Sequence, residues 1–111
     1  MQVNEQDWKL FRKRIVDWQE AYMDRLNRSY MELLSGDDAA SDKFWALEER
    51  IRQDKRSIGV VIQLRRSTFH TDLLRLLGEG VIGPEDLEGF SEDLRERLAR
   101  FFAETGNRES S

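Results

Sequence analysis

The chain has 111 residues, of which 39% are hydrophobic and 36% charged, with a formal net charge of −4 and no cysteine. That length supports one domain with a core of its own. The lack of cysteine excludes a disulfide scaffold, a thiolate metal site and a cysteine nucleophile, and it fits the reducing cytoplasm.

The first element dominates the chain. From Asn4 to Ser35 there is neither proline nor glycine, which predicts a helix of roughly 45 Å at 1.5 Å per residue. Asn4 is placed to cap it, with Glu5 and Asp7 in the first turn where the helix dipole favours negative charge. The apolar stripe runs Trp8, Phe11, Ile15, Trp18, Tyr22 in three-four alternation, then Leu26, Tyr30 and Leu33 in steps of four, four and three. That change of step is a stutter, a local change of pitch. A second flank, Val16, Met23, Tyr30 and Leu34, widens the face enough for two neighbouring helices. Ser35-Gly36 is expected to end the helix through the glycine, with residues 37–40 as a loop.

A second helix is expected from Ser41 or Asp38 to about Arg56, with Phe44, Leu47 and Ile51 facing inward and Trp45 to one side. Ser57-Ile58-Gly59 breaks it. The string IGVVIQL, residues 58–64, reads either as a buried strand or as helix. With no second strand to pair with it, the expectation is a third helix from about Val60 to Leu77. Residues 78–83 form a turn in which Val81 and Ile82 tuck under the bundle. Pro84 with Glu85 and Asp86 is a helix start. Leu87, Phe90, Leu94, Leu98 and Phe101 line the last helix, divided into a short turn (84–89) and a main helix (91–103). The expected layout is a single all-α domain over residues 1–104, an up-and-down bundle of four helices on the long first one, with a frayed tail at 105–111.

The long opening helix (Trp8, Trp18, Tyr22), followed by FWALEERI, IGVVIQLRRS and LLGEGVIGPEDLEGFSEDL, resembles a group of short all-helical bacterial proteins of unknown function. The resemblance spans nearly the whole chain and implies an all-α fold. It implies no activity, ligand or functional residue.

Few residues suggest chemistry. Gly78-x-Gly80-x-x-Gly83 matches the dinucleotide fingerprint in letters, but that motif works after a strand and before a helix. Here it follows a leucine-rich helix, and Glu79, Glu85 and Asp86 put carboxylates where phosphates would sit. His70 is the only histidine; Asp72, two residues on, lies on another helix face, and a Ser67–His70 pair lacks an oxyanion hole. No Glu-x-x-His occurs for a bundle metal site. The expectation is no enzyme, no cofactor and no metal.

Arg50, Arg52, Lys55, Arg56, Arg65 and Arg66 form the one basic concentration. Residues 43–66 carry seven basic and three acidic side chains, a local +4, against −5 over residues 72–104 from four basic and nine acidic. A helix-turn-helix with Val60 onward as recognition helix would need apolar residues at 54, 65 and 68, where the chain has Asp54, Arg65 and Thr68. Arg65-Arg66-Ser67-Thr68 resembles a basophilic kinase site, poorly presented if it lies within a helix.

The aromatic stripe remains. Trp8, Phe11, Trp18, Tyr22 and Tyr30 are either core or a contact surface, since large aromatics carry interface energy well. The leading expectation is a cytoplasmic protein that works through protein–protein contact, as a homodimer or with another protein. The alternative is a nucleic-acid-associated protein using residues 50–66. A pocket for a small molecule has only three tryptophans in its favour. No apolar run approaches the roughly 18 residues that span a bilayer, and the polar start MQVNEQDW does not read as a signal peptide.

Overall fold

The computed structural model describes residues 3–109, with side chains through Ala103. Four α-helices follow in order, α1 (Glu5–Leu34), α2 (Ala40–Asp54), α3 (Phe69–Gly78) and α4 (Glu92–Glu109), with single 3₁₀ turns at Arg66–Thr68 and Pro84–Leu87. There is no strand among the described residues. The fold is all-α, organised on the long first helix.

The start of α1 follows from Asn4, whose side chain accepts from the amides of Gln6 (2.9 Å) and Asp7 (3.3 Å). Two of the orphan donors of the first turn are thereby satisfied. Its other end departs from expectation, because only Gly80 and Gly89 take positive φ. Gly36 therefore does not close α1 in the left-handed conformation; the last carbonyls are met by the amides of Ser35 and Gly36. α2 also begins without a side-chain cap, at Ala39 rather than at Ser41 or Asp38.

The largest departure is at residues 60–65, expected as helix and found outside any helix: Val60 closes a turn on the carbonyl of Ser57, and 61–65 form an irregular run that ends with Arg65 in extended backbone. Geometry gives the reason. The Gln19 side chain reaches the carbonyl of Ile58 (3.4 Å), whereas Phe69 packs on Trp8 and Phe11 at ring distances of 5.7 and 5.0 Å. The chain must therefore travel about 16 Å back along α1, from the level of Gln19 to that of Trp8. Six extended residues cover roughly 20 Å and six helical ones only about 9 Å. The β-branched run Val60-Val61-Ile62 favours the extended form. α3 then starts beside the N-terminal end of α1 and ends beside Tyr22 and Arg25, parallel to α1. The expected up-and-down order is thus replaced by a non-helical return along α1.

α3 ends in a Schellman motif. Gly80 takes φ +74°, its amide donates to Leu77 and that of Val81 to Leu76, and Val81 is buried beneath the turn, as such motifs require. This turn is the Gly-x-Gly-x-x-Gly string, so its glycines serve a helix end. Pro84 starts the short 3₁₀ turn. α4 begins at Glu92, is helical past the Glu104 end expected from the sequence, and leaves residues 110 and 111 outside the described residues.

The core gathers Trp8, Phe11, Ile15 and Trp18 of α1 with Ile58, Phe69, Leu73, Leu76, Val81, Ile82, Leu87, Phe90, Leu94 and Leu98. Every α1 member lies before Tyr22. The stutter marks this border: Tyr22 packs against Gly59, where an added Cβ would stand 2.5 Å from its ring and 2.7 Å from Val81. Beyond it, apart from Arg25 on the carbonyls of Gly80 and Val81 and Val60 in a groove with Leu26 and Tyr30, α1 has α2 beside it. We call the first region the body and the hairpin of α1 beyond Tyr22 with α2 the arm. The molecule measures 52 × 37 × 22 Å with a radius of gyration of 16.9 Å, against about 13 Å for a compact chain of this length.

Candidate interaction surface

The arm is a two-helix hairpin, and two helices cannot enclose an apolar interior. α2 contributes no buried residue. Its contact with α1 is partly polar: the Tyr30 hydroxyl donates to Asp54, Arg50 donates to the Ser29 hydroxyl (2.7 Å), and the Arg50 guanidinium lies over the Tyr30 ring. Burial, then the bond to Asp54, pushes the Tyr30 phenol up to about 12. These groups fix how α2 lies on α1 while apolar side chains turn outward.

Phe44 is 62% exposed and Trp45 63%, and their rings meet edge to face at 4.9 Å. The expected inward placement of Phe44 is therefore corrected. The residues that face α1 are Ala46, Leu47, Arg50, Ile51 and Asp54, all half-buried. Phe44 lies on the flank of α2, beside Leu47 and Ile51. A second groove holds Met23, Leu26 and Tyr30 of α1 with Ile51 and Val60. The two grooves share Ile51 and Lys55, so they form one apolar side of the arm. Met31 and Leu34 add exposed apolar surface near the tip. A contiguous patch of this kind marks a contact site more often than scattered surface leucines do.

The sequence-predicted candidates divide at the stutter. Trp8, Phe11 and Trp18 are 6%, 0% and 8% exposed. They pack on Phe69 and Phe90 and have no area to offer a partner; they are core. Tyr22 and Tyr30 are half-buried, Tyr22 at the joint and Tyr30 in the arm. Phe44 is expected inward and Trp45 to one side, and neither is among the contact residues expected from the sequence. Their adjacency was the available signal, since neighbours on a helix point about 100° apart and a single facing helix does not cover both.

The basic residues are not gathered into one patch. Arg50 is engaged with Ser29 and Tyr30; Arg52 pairs with Glu48 and Glu49; Arg66 pairs with Glu5 at 2.9 Å and lies over Trp8. Lys55, Arg56 and Arg65 are exposed and make no ion pair among the described residues. Because Val60 lies in a turn and residues 61–65 are not helical, a recognition helix is absent from this place.

The remaining polar groups of the body are structural. Asp7, 3% exposed, accepts from the Ser91 amide (2.8 Å) and hydroxyl (2.6 Å), and the Ser91 hydroxyl accepts from the Leu94 amide. The start of α4 is thus tied to the start of α1. Asp72 is raised by burial, an effect opposed by the hydroxyl it accepts from Thr68 (2.9 Å). His70 is lowered by burial and by the nearby Arg97, and no hydrogen bond joins it to the exposed Ser67. A groove of about 440 Å³ runs between the end of α3 and α4, lined by Leu77, Ile82, Leu87, Leu98 and Phe102 with Arg95 as its charged member; no tryptophan lines it. No helix among the described residues is long and apolar enough to cross a membrane.

No family model, curated protein or solved structure matches the chain.

Proposed function

We propose that this chain is a non-enzymatic cytoplasmic protein that acts through protein–protein contact and associates with itself, and that the arm is the contacting part. The observation that carries this reading is the outward placement of Phe44 and Trp45 on a helix with no buried residue. Aromatic side chains are costly to leave in water and are the usual anchors of interfaces. The resemblance to short bacterial helical proteins adds no activity to it. Light scattering on the purified protein at tens of micromolar tests the self-association. Twice the chain mass of 13.2 kDa is expected, and a monomeric mass throughout overturns it.

A second reading rests on Lys55, Arg56 and Arg65, exposed cations with no ion pair among the described residues. In it the segment 50–66 holds an anionic partner such as nucleic acid. It has less support, because Arg50, Arg52 and Arg66 are held by neighbours within the chain. It requires salt-dependent retention of duplex or single strands, weakened by Arg56→Ala with Arg65→Ala. No retention at low salt removes it.

A further inference from the structure

The arm differs in charge at its two ends. The tip carries Asp37, Asp38 and Asp42, all exposed; the base carries Lys55 and Arg56, also exposed. None of the five makes an ion pair among the described residues. The 15 residues of α2 hold the ends about 22 Å apart, beyond the Debye length of roughly 8 Å at physiological salt. Within one chain the two ends therefore cannot neutralise each other. Between them lies the apolar side formed by Met23, Tyr30, Phe44, Leu47 and Ile51.

The accessible surface is 7,996 Å². A compact monomer of 13.2 kDa exposes about 6,400 Å², so this chain carries an excess of about 1,600 Å². A standard stable interface needs about 800 Å² from each partner. The chain as a whole thus has area to spare for one, and the arm is the part of it without a buried residue.

We infer that the arm's occupant is a second copy of this chain, laid antiparallel across a two-fold axis, with each acidic tip against the other's basic base. Four helices then enclose the apolar side that two leave open. The antiparallel sense follows from charge, since parallel arms would set two acidic tips together and two basic bases together. It also follows from shape: the body is the thicker part, and antiparallel arms carry the two bodies at opposite ends. A two-fold interface is self-complementary, so each tip–base contact occurs twice. This inference rests on the self-association proposed above.

The test uses two charge-reversed variants, Asp37→Lys with Asp38→Lys, and Lys55→Glu with Arg56→Glu. All four positions are exposed, and helicity and the thermal unfolding of protein dilute enough to be monomeric should stay as in the wild type. Alone, each variant sets like charge against like, and its dimer dissociation constant should rise about tenfold or more. Mixed in equal amounts, the two should form a heterodimer at close to wild-type affinity, because each tip then meets an opposite base. Loss in both variants without recovery on mixing overturns the tip-to-base arrangement. So does wild-type affinity in both variants, while the self-association itself stands. A wild-type chain that stays monomeric removes the self-association, and the arm's partner is then a different protein.

Discussion

The body and the arm are built from the same helix, and the contrast between them shows what encloses a side chain. Up to Tyr22 the stripe of α1 meets α3, the 79–90 loops and α4 from several directions. Arg14 donates to the carbonyls of Asp86 and Glu88, and Arg25 to those of Gly80 and Val81, which ties α1 to those loops at two levels. Beyond Tyr22 the stripe continues as Leu26, Tyr30 and Leu33, but one helix lies beside it and none of them is buried. Helices in water owe most of their stability to an enclosed apolar face. The body has one of its own; the arm has half of one.

Substitutions should separate the two regions. The largest effect is expected for Phe11→Ala, at a fully buried site, at about 3–5 kcal/mol. Phe44→Ala in the arm should change the unfolding of dilute protein by less than about 1 kcal/mol. Urea titrations of both variants below the dimerisation range check this, and comparable losses would erase the distinction between the regions. Asp7→Ala should follow at about 2 kcal/mol, because the half-buried Ser91 amide and hydroxyl lose their acceptor; Ser91→Ala should cost less, near the ~1 kcal/mol of a helix cap.

Gly59→Ala probes the joint. Its new methyl group meets the Tyr22 ring at 2.5 Å, and overpacking of this kind costs about 1–3 kcal/mol. The expected sign is faster amide hydrogen exchange in α2 together with a lower melting temperature, whereas an unchanged exchange pattern would mean that the joint yields freely. Tyr30→Phe removes the bond to Asp54 and should cost about 1 kcal/mol or less, read in arm exchange rather than in global unfolding. In the intact chain one of the two tyrosines should ionise near pH 12, visible by absorbance.

The smallest effect concerns pH. His70 is lowered in the fold from its usual 6.5, so the unfolded chain takes the proton first. Its contribution is present above about pH 6.5 and is lost as the pH falls from there toward the lowered value. Asp72 acts in the opposite sense. Its carboxyl is raised from 3.8, so its contribution is greatest below that value and is lost as the pH rises through the raised one. Replacing His70 with Gln should flatten the first limb of a stability–pH curve and leave the second.

Much of the fold is legible in particular residues. Asn4 before an unbroken helical run, Pro84 before two acids, and Val81-Ile82 after Gly80 each state a local structure, and each is found. Residues 60–65 were not legible, because a β-branched run without a strand partner reads equally well as helix. What decided it was the distance back to Trp8, a property of α1 and α3 together. Asp7 reads as an ordinary first-turn acid; nothing local shows that Ser91, far along the chain, will come to it. The contact surface was half legible. The stripe was visible, but its tryptophans went inside and the outward aromatics came from α2.

The sequence alone determined that this chain is helical, that its first helix is the longest, and where its stripe changes step. Those are consequences of spacing, capping and the absence of breakers, which act within a few residues. Only the tertiary structure decided which side of Tyr22 is enclosed, because burial depends on how many elements converge on a face. Residues 60–65, by leaving the helix, carry α3 to the body and leave the arm with α2 as its second helix.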